Sequence, residues 1–219
     1  MASGLYFDRI TTSDYIFFQD PVGIGQPGSK ISLHVYDEWT VEFIIRPETE
    51  DSGELANRSV LFTLANSSGS NATINGSTFQ VCLTPTDRFV QLRSHTNTST
   101  LNTYGVSGTS SVAPIYNQDN HIGISFSFGT MYVSLNGEIV ITATDCDTRT
   151  SMISTNAKPR LMFGTNWTNT GSERYKGYMK RIAVYKNLAK YTDTFIPPSR
   201  PINIISPYPY QTEDPLRSI

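Results

Sequence analysis

A chain of 219 residues with 17 Lys and Arg against 19 Asp and Glu carries a formal net charge of −2, which excludes the basic footprint of a nucleic-acid binder. An apolar share of 38% excludes a disordered polypeptide and suffices for one all-β core at this length. No apolar run is long enough to span a bilayer, and Met1-Ala2-Ser3-Gly4 lacks the apolar stretch of a signal peptide, so synthesis in a cytoplasm without membrane insertion is expected.

Strand signals recur along the chain, and no sustained helical period appears. Short apolar runs occupy 14–19, 60–65, 78–83 and 89–94. In Trp39–Pro47 the side chains of Trp39, Val41, Phe43 and Ile45 share one face, with Thr40, Glu42 and Arg46 on the other and Ile44 as an exception. This alternation predicts one buried face. The run 121–128 alternates Ile122, Ile124, Phe126 and Phe128 against His121, Gly123, Ser125 and Ser127. Met131–Leu135, Asn136-Gly137 and Glu138–Thr142 read as a hairpin, since Asn-Gly accepts the positive φ angles of a type I′ turn. Strands at 161–163 and 178–185 close the series, and a brief turn of helix is expected over 188–191. The Ser-, Thr- and Asn-rich stretches 66–77 and 96–111 predict long polar loops. Many short strands without helices imply an antiparallel two-sheet sandwich of residues 1–196.

Residues 197–219 differ in character. Pro197, Pro198, Pro201, Pro207, Pro209 and Pro215 cannot sit in a central strand, so this is an extended arm. Its apolar residues, among them Ile204, Ile205, Tyr208 and Tyr210, exceed what a solvated tail needs, and predict docking on a neighbouring subunit or particle surface.

Cys82 and Cys146 form no metal-ligand or disulfide pattern and read as separate thiols. The sequons at Asn57, Asn66, Asn71, Asn75, Asn97 and Asn166 follow from loop composition. His34, His95 and His121 have no metal-ligand spacing. Lys176, Lys180 and Arg181 read as a solvated strand face, and Glu48, Glu50, Asp51 and Glu54 as a solvated loop. A sugar site needs aromatic faces beside amide and charged groups. Asn166, Trp167, Asn169, Arg174 and Tyr175 supply that mixture, and Tyr104 could add to it. The rival reading packs Trp167 over the sandwich edge.

The order of these motifs resembles the concanavalin A-like, laminin G-like jelly roll. The start Leu5-Tyr-Phe-Asp8 with Asp14-Tyr15-Ile16, the strand Trp39–Pro47, the hairpin Tyr132–Gly137 and the closing run Lys176–Tyr185 carry the resemblance. The exit Leu188-Ala-Lys-Tyr-Thr-Asp-Thr-Phe-Ile-Pro-Pro198 is especially similar to such domains in tailed-phage and other virion proteins. The resemblance covers roughly residues 5–198 and implies a two-sheet antiparallel jelly roll. It also implies a virion structural protein (capsid decoration, fibre or tail-associated), with other virion proteins, further copies of itself and host surface glycans as partners. A glycan-binding adhesin and a polysaccharide-degrading enzyme are the alternatives. Glycosidases on this fold use a Glu-x-Asp-x-x-Glu spacing that this chain lacks, so no catalytic residues are expected. Calcium is a cofactor the resemblance brings with it, and Asp145 and Asp147 are the carboxylates that could bind it.

Overall fold

The computed structural model describes residues 4–8, 15–19, 33, 37–50, 52–68, 79–95, 101–103, 110–144, 146, 157–165 and 173–197. The strands are β1 (Leu5–Phe7), β2 (Ile16–Gln19), β3 (Glu38–Pro47), β4 (Ser59–Ser68), β5 (Phe79–Leu83) and β6 (Val90–His95). They continue with β7 (Leu101–Thr103), β8 (Asn120–Ser127), β9 (Thr130–Leu135), β10 (Glu138–Ala143), β11 (Ala157–Phe163) and β12 (Gly177–Lys186). A single turn of helix, α1 (Ser52–Leu55), joins β3 to β4.

The strands form two six-stranded antiparallel sheets, ordered β1-β12-β3-β8-β9-β10 (sheet A) and β2-β11-β4-β5-β6-β7 (sheet B). The expected two-sheet sandwich is therefore present. Alternation dictates its core. On sheet A, Trp39, Val41 and Phe43 stand opposite Phe126, Ile124 and Ile122. The Trp39 and Phe126 rings stack 5.7 Å apart. From sheet B, Phe163 reaches the core edge-on to Phe43 at 5.6 Å and meets Phe62 at 5.3 Å. Phe79, Val81, Leu83, Val90 and Leu92 line the same inner layer. The β9–β10 hairpin turns through Asn136 at φ 52° and Gly137 at φ 93°, the left-handed pair that the Asn-Gly dipeptide predicts.

Several expectations are corrected. The stretch 66–77 is not wholly loop, because β4 continues to Ser68, where it pairs with Ala157. Strand β7 lies within the predicted loop 96–111 and pairs with β6. The chain at 188–191 is not helical. Its backbone groups bond sideways to the sheet: the Leu188 carbonyl accepts from Thr40 Oγ1 at 2.9 Å, and the Lys190 and Tyr191 amides donate to Thr40 and Ser125. The helical turn lies instead at α1, and the neighbouring Glu50 is not solvated. It is buried, ion-paired with Arg88 and hydrogen-bonded by Ser59 at 3.1 Å. Lys180 is not simply solvated either, for its ammonium lies 2.6 Å from Asp119.

Candidate functional site

A sandwich offers a ligand two outer faces, and here they differ. Thr40 and Glu42 face away from the core on β3, as alternation requires, yet both are fully buried. The prediction of a single buried face on this strand is corrected. Residues 187–197 run back across sheet A as a strap and cover them. Tyr191 lies against Gly123, where an added methyl group would meet its ring at 2.7 Å. Phe195 stacks on Tyr191 at 3.9 Å, edge-on to His121, and its amide donates to the Gly137 carbonyl at 2.9 Å.

Glu42 is the polar centre of this layer. Oε1 accepts from the Tyr185 hydroxyl at 2.7 Å and from Lys190 Nζ at 3.1 Å. Oε2 accepts from the Tyr191 hydroxyl and lies 3.4 Å from His121 Nε2. Burial alone would raise the carboxyl pKa, but the nearby His121 imidazole, the Tyr185 hydrogen bond and the Lys190 cation outweigh it, and the pKa falls below its ordinary value. A carboxylate saturated with donors under its own chain is a clamp, since no substrate atom can reach it.

The outer face of sheet B is built differently. Phe79, Val81, Leu83, Val90 and Leu92 face the core, so Gln80, Cys82, Gln91 and Arg93 face outward. Register places Gln80 beside Arg93 and Cys82 beside Gln91, with Thr63 of β4 next to Gln80. The result is a tile of polar side chains across β4, β5 and β6. Arg58, just before β4, donates through Nε to Gln91 Oε1 at 3.3 Å. Arg93 Nη1 donates to Gln80 Oε1 at 3.5 Å. Both guanidinium groups converge on one oxygen of Glu173, at 3.8 Å from Arg58 and 4.0 Å from Arg93.

The tile is partly desolvated. Thr63, Gln80 and Cys82 are fully buried and Gln91 and Arg93 nearly so, while the Arg58 side chain remains 35% exposed and that of Glu173 23%. Burial, reinforced by the Arg58 cation, lowers the Arg93 pKa. Gln80 Nε2 is buried without a hydrogen-bond partner. Arg58 is the cation of this cluster that reaches solvent, and a planar guanidinium recognises oxyanions. Cys82 lies within the tile, where burial pushes its thiol up to about 12, so it is not a nucleophile.

The residues read from the sequence fall in three groups. Tyr104, Asn166, Trp167, Asn169, Asp145, Asp147, Ile204, Ile205, Tyr208 and Tyr210 lie outside the described residues. Among the described residues no three His, Cys, Asp or Glu side chains gather as metal ligands. Tyr175 is corrected to a core position: fully buried, edge-on to Phe7 at 6.0 Å, its hydroxyl donating to the Tyr178 carbonyl at 3.3 Å. Its ring can offer no face to a sugar. Arg174 is likewise buried, beside Val60 in a short parallel bridge. Their neighbour Glu173, together with Arg58, Gln80, Gln91 and Arg93, was missed. The available signal was Gln80, Gln91 and Arg93 alternating with the apolar residues of two strands, whereas Arg58 and Glu173 lie outside both.

Solved structures of similar shape include the heptameric SAP-like pentraxin of Limulus polyphemus, 16% identical, with a TM-score of 0.50 and coverage of 82% of this chain and 73% of that one. The fold is the concanavalin A-like jelly roll. Another similar jelly roll is the CBM40 of the Ruminococcus gnavus IT-sialidase bound to α2,3-sialyllactose, 13% identical, with a TM-score of 0.51 and coverage of 84% and 89%. Tailspike protein 2 of an Escherichia coli bacteriophage is 14% identical with a TM-score of 0.52, and the jelly roll aligns 83% of this chain with 22% of that one. No family model and no curated protein matches the chain.

Proposed function

We propose that this jelly roll is a non-enzymatic carbohydrate-binding domain of a virion protein, made in the host cytoplasm and carried on the particle as a decoration, fibre or tail-associated part. The observation that carries the binding reading is the polar tile on the outer face of sheet B. Arg58 stands part-exposed at its edge and is hydrogen-bonded to Gln91, with Gln80, Gln91 and Arg93 buried behind it, and the opposite outer face is closed over Thr40 and Glu42 by its own strap. Two likenesses support it: a bacterial domain whose structure holds sialyllactose, and part of a phage tailspike. The resemblance of the exit segment 188–198 to virion domains supports the particle assignment.

A glycan array probed with the purified protein tests the binding reading, and binding that Arg58→Ala weakens is the expected result. No glycan bound on an array of host surface structures would overturn it. Immunogold labelling of purified particles tests the location. The non-enzymatic part rests on the missing carboxylate triplet and on Glu42 being sealed under the strap. β-Glucans, alginates and capsule polysaccharides should release no oligosaccharide, and turnover abolished by Glu48→Gln would show a catalytic carboxylate near Tyr6, whose hydroxyl donates to Glu48 at 2.9 Å.

A further inference from the structure

We infer that the open corner of sheet A, where Tyr6, Tyr178 and Arg46 lie in a row, is a saccharide site separate from the tile, and that it takes a pyranose bearing a carboxylate. The inference rests on the carbohydrate-binding reading and adds to it a second place on the fold and a ligand class.

Register makes the row. Tyr6 of β1 stands opposite Tyr178 of β12, and Tyr178 opposite Arg46 of β3. Their chain neighbours Phe7, Met179 and Ile45 belong to the core, so alternation turns the row outward. The strap closes this face over Thr40 and Glu42 but does not reach the corner. Tyr6 is 46% exposed, and Tyr178 and Arg46 are half-buried.

Three observations carry the inference. First, the Tyr6 and Tyr178 rings lie 4.9 Å apart with their planes inclined at 51°. The core does not require them there, because Phe7 already fills the inner side of β1 against Tyr175. Exposed aromatic faces with a polar rim mark an interaction site, and they match the C–H face of a sugar ring. The Tyr6 hydroxyl is fixed by donating to Glu48 at 2.9 Å, a bond that raises its pKa to about 12 and keeps the phenol neutral. Second, Arg46 is a cation without an anion. The carboxylates around it are engaged elsewhere, Glu48 by the Tyr6 hydroxyl and Asp119 by Lys180 Nζ at 2.6 Å. Among the described residues the Arg46 guanidinium has no ion pair and no hydrogen bond. A guanidinium fork with free donors beside an aromatic face suits a uronate-type ring, the ring on tyrosine and the carboxylate in the fork. Third, the patch is small. Two partly exposed rings and one cation offer well under the roughly 800 Å² per partner that a stable protein interface buries, whereas one or two sugar residues match them.

Isothermal titration of the full chain with a glucuronate oligosaccharide, 3′-sialyllactose and neutral lactose tests this. The acidic sugars should bind and lactose should not. Tyr178→Ala, which removes a ring, and Arg46→Gln, which removes the charge, should each weaken acidic binding roughly tenfold. Tyr6→Ala, at an exposed position, repeats the ring test without burdening the fold. Arg58→Ala, on the other sheet, should leave this step of the titration unchanged. Acidic binding that survives Tyr6→Ala and Arg46→Gln but falls in Arg58→Ala would overturn this inference and leave the carbohydrate reading standing on sheet B. Lactose bound as tightly as the acidic sugars would also overturn it, again without harm to that reading. Binding of neither class, with no glycan bound on the array, would overturn both.

Discussion

Tyr185 on β12 donates a 2.7 Å hydrogen bond to Glu42 on β3, and Lys190, five residues further on, reaches the same oxygen at 3.1 Å. A single carboxylate therefore ties the last strand and the strap behind it to the middle of sheet A. Removing its charge leaves Lys190 and His121 facing a neutral amide in a water-poor layer. Breaking a buried pair by removing one partner costs about 3–5 kcal/mol. Glu42→Gln keeps some hydrogen bonds, so about 3 kcal/mol is expected, a fall in Tm of roughly 6–12 °C by scanning calorimetry.

The same cluster sets a pH dependence. Glu42 titrates below its ordinary 4.5 in the folded protein, and near that value once unfolded and hydrated. Its contribution is therefore complete above the unfolded value and is lost as pH falls through the depressed folded one. The facing groups are His121 from β8, Tyr185 from β12, and Lys190 and Tyr191 from the strap. Melting temperatures of wild type and Glu42→Gln should differ above about pH 5 and converge as the pH falls below about 4. A gap that stays unchanged down to pH 3 would contradict this.

Gly137 serves both hairpin and strap. Its φ is 93°, and an added methyl group would collide with the Phe195 carbonyl. Gly137→Ala should cost about 1–3 kcal/mol and loosen the strap, seen as faster proteolysis between Lys190 and Pro197 than in wild type.

The strap divides the C-terminal region into a part the sandwich needs and a part it does not. Tyr191 and Phe195 belong to the packed layer over His121. Truncation after Arg200 should therefore leave Tm unchanged within about 1–2 °C, while abolishing assembly or particle binding if the arm docks as its composition predicts. Truncation after Lys186 removes the clamp and should leave the protein insoluble or unfolded.

Cys82 and Cys146 are buried and unbonded to each other. Neither should react with a thiol reagent in the native protein within minutes, and both should react on denaturation, without prior reduction.

What the sequence revealed follows from the range of the forces involved. Alternation in 39–45 and 122–126 and the Asn136-Gly137 turn are local properties, and each strand they predict is present. The burial of Thr40 and Glu42 was hidden because their cover comes from Leu188, Lys190 and Tyr191, near the far end of the chain. The missed helical turn at α1 has a similar cause, since Glu50 is held by Arg88 from the β5–β6 turn. On sheet B, Gln80 and Arg93 become neighbours only once the register of β5 against β6 is known. Arg58 and Glu173 are drawn to the tile from separate segments. Tyr175 carried the aromatic and polar character of a sugar-binding residue, but its hydroxyl finds the Tyr178 carbonyl inside the fold.

The strap has an orientational consequence. It lies over sheet A, and the chain continues toward its C-terminal arm from Pro197 on that side, whereas the arginine tile looks outward from sheet B. A copy anchored through its C-terminal end would turn its tile away from the anchor. Many copies fixed on one surface would then present the outer faces of their B sheets in the same direction, and any weak contact made there would be multiplied through local concentration.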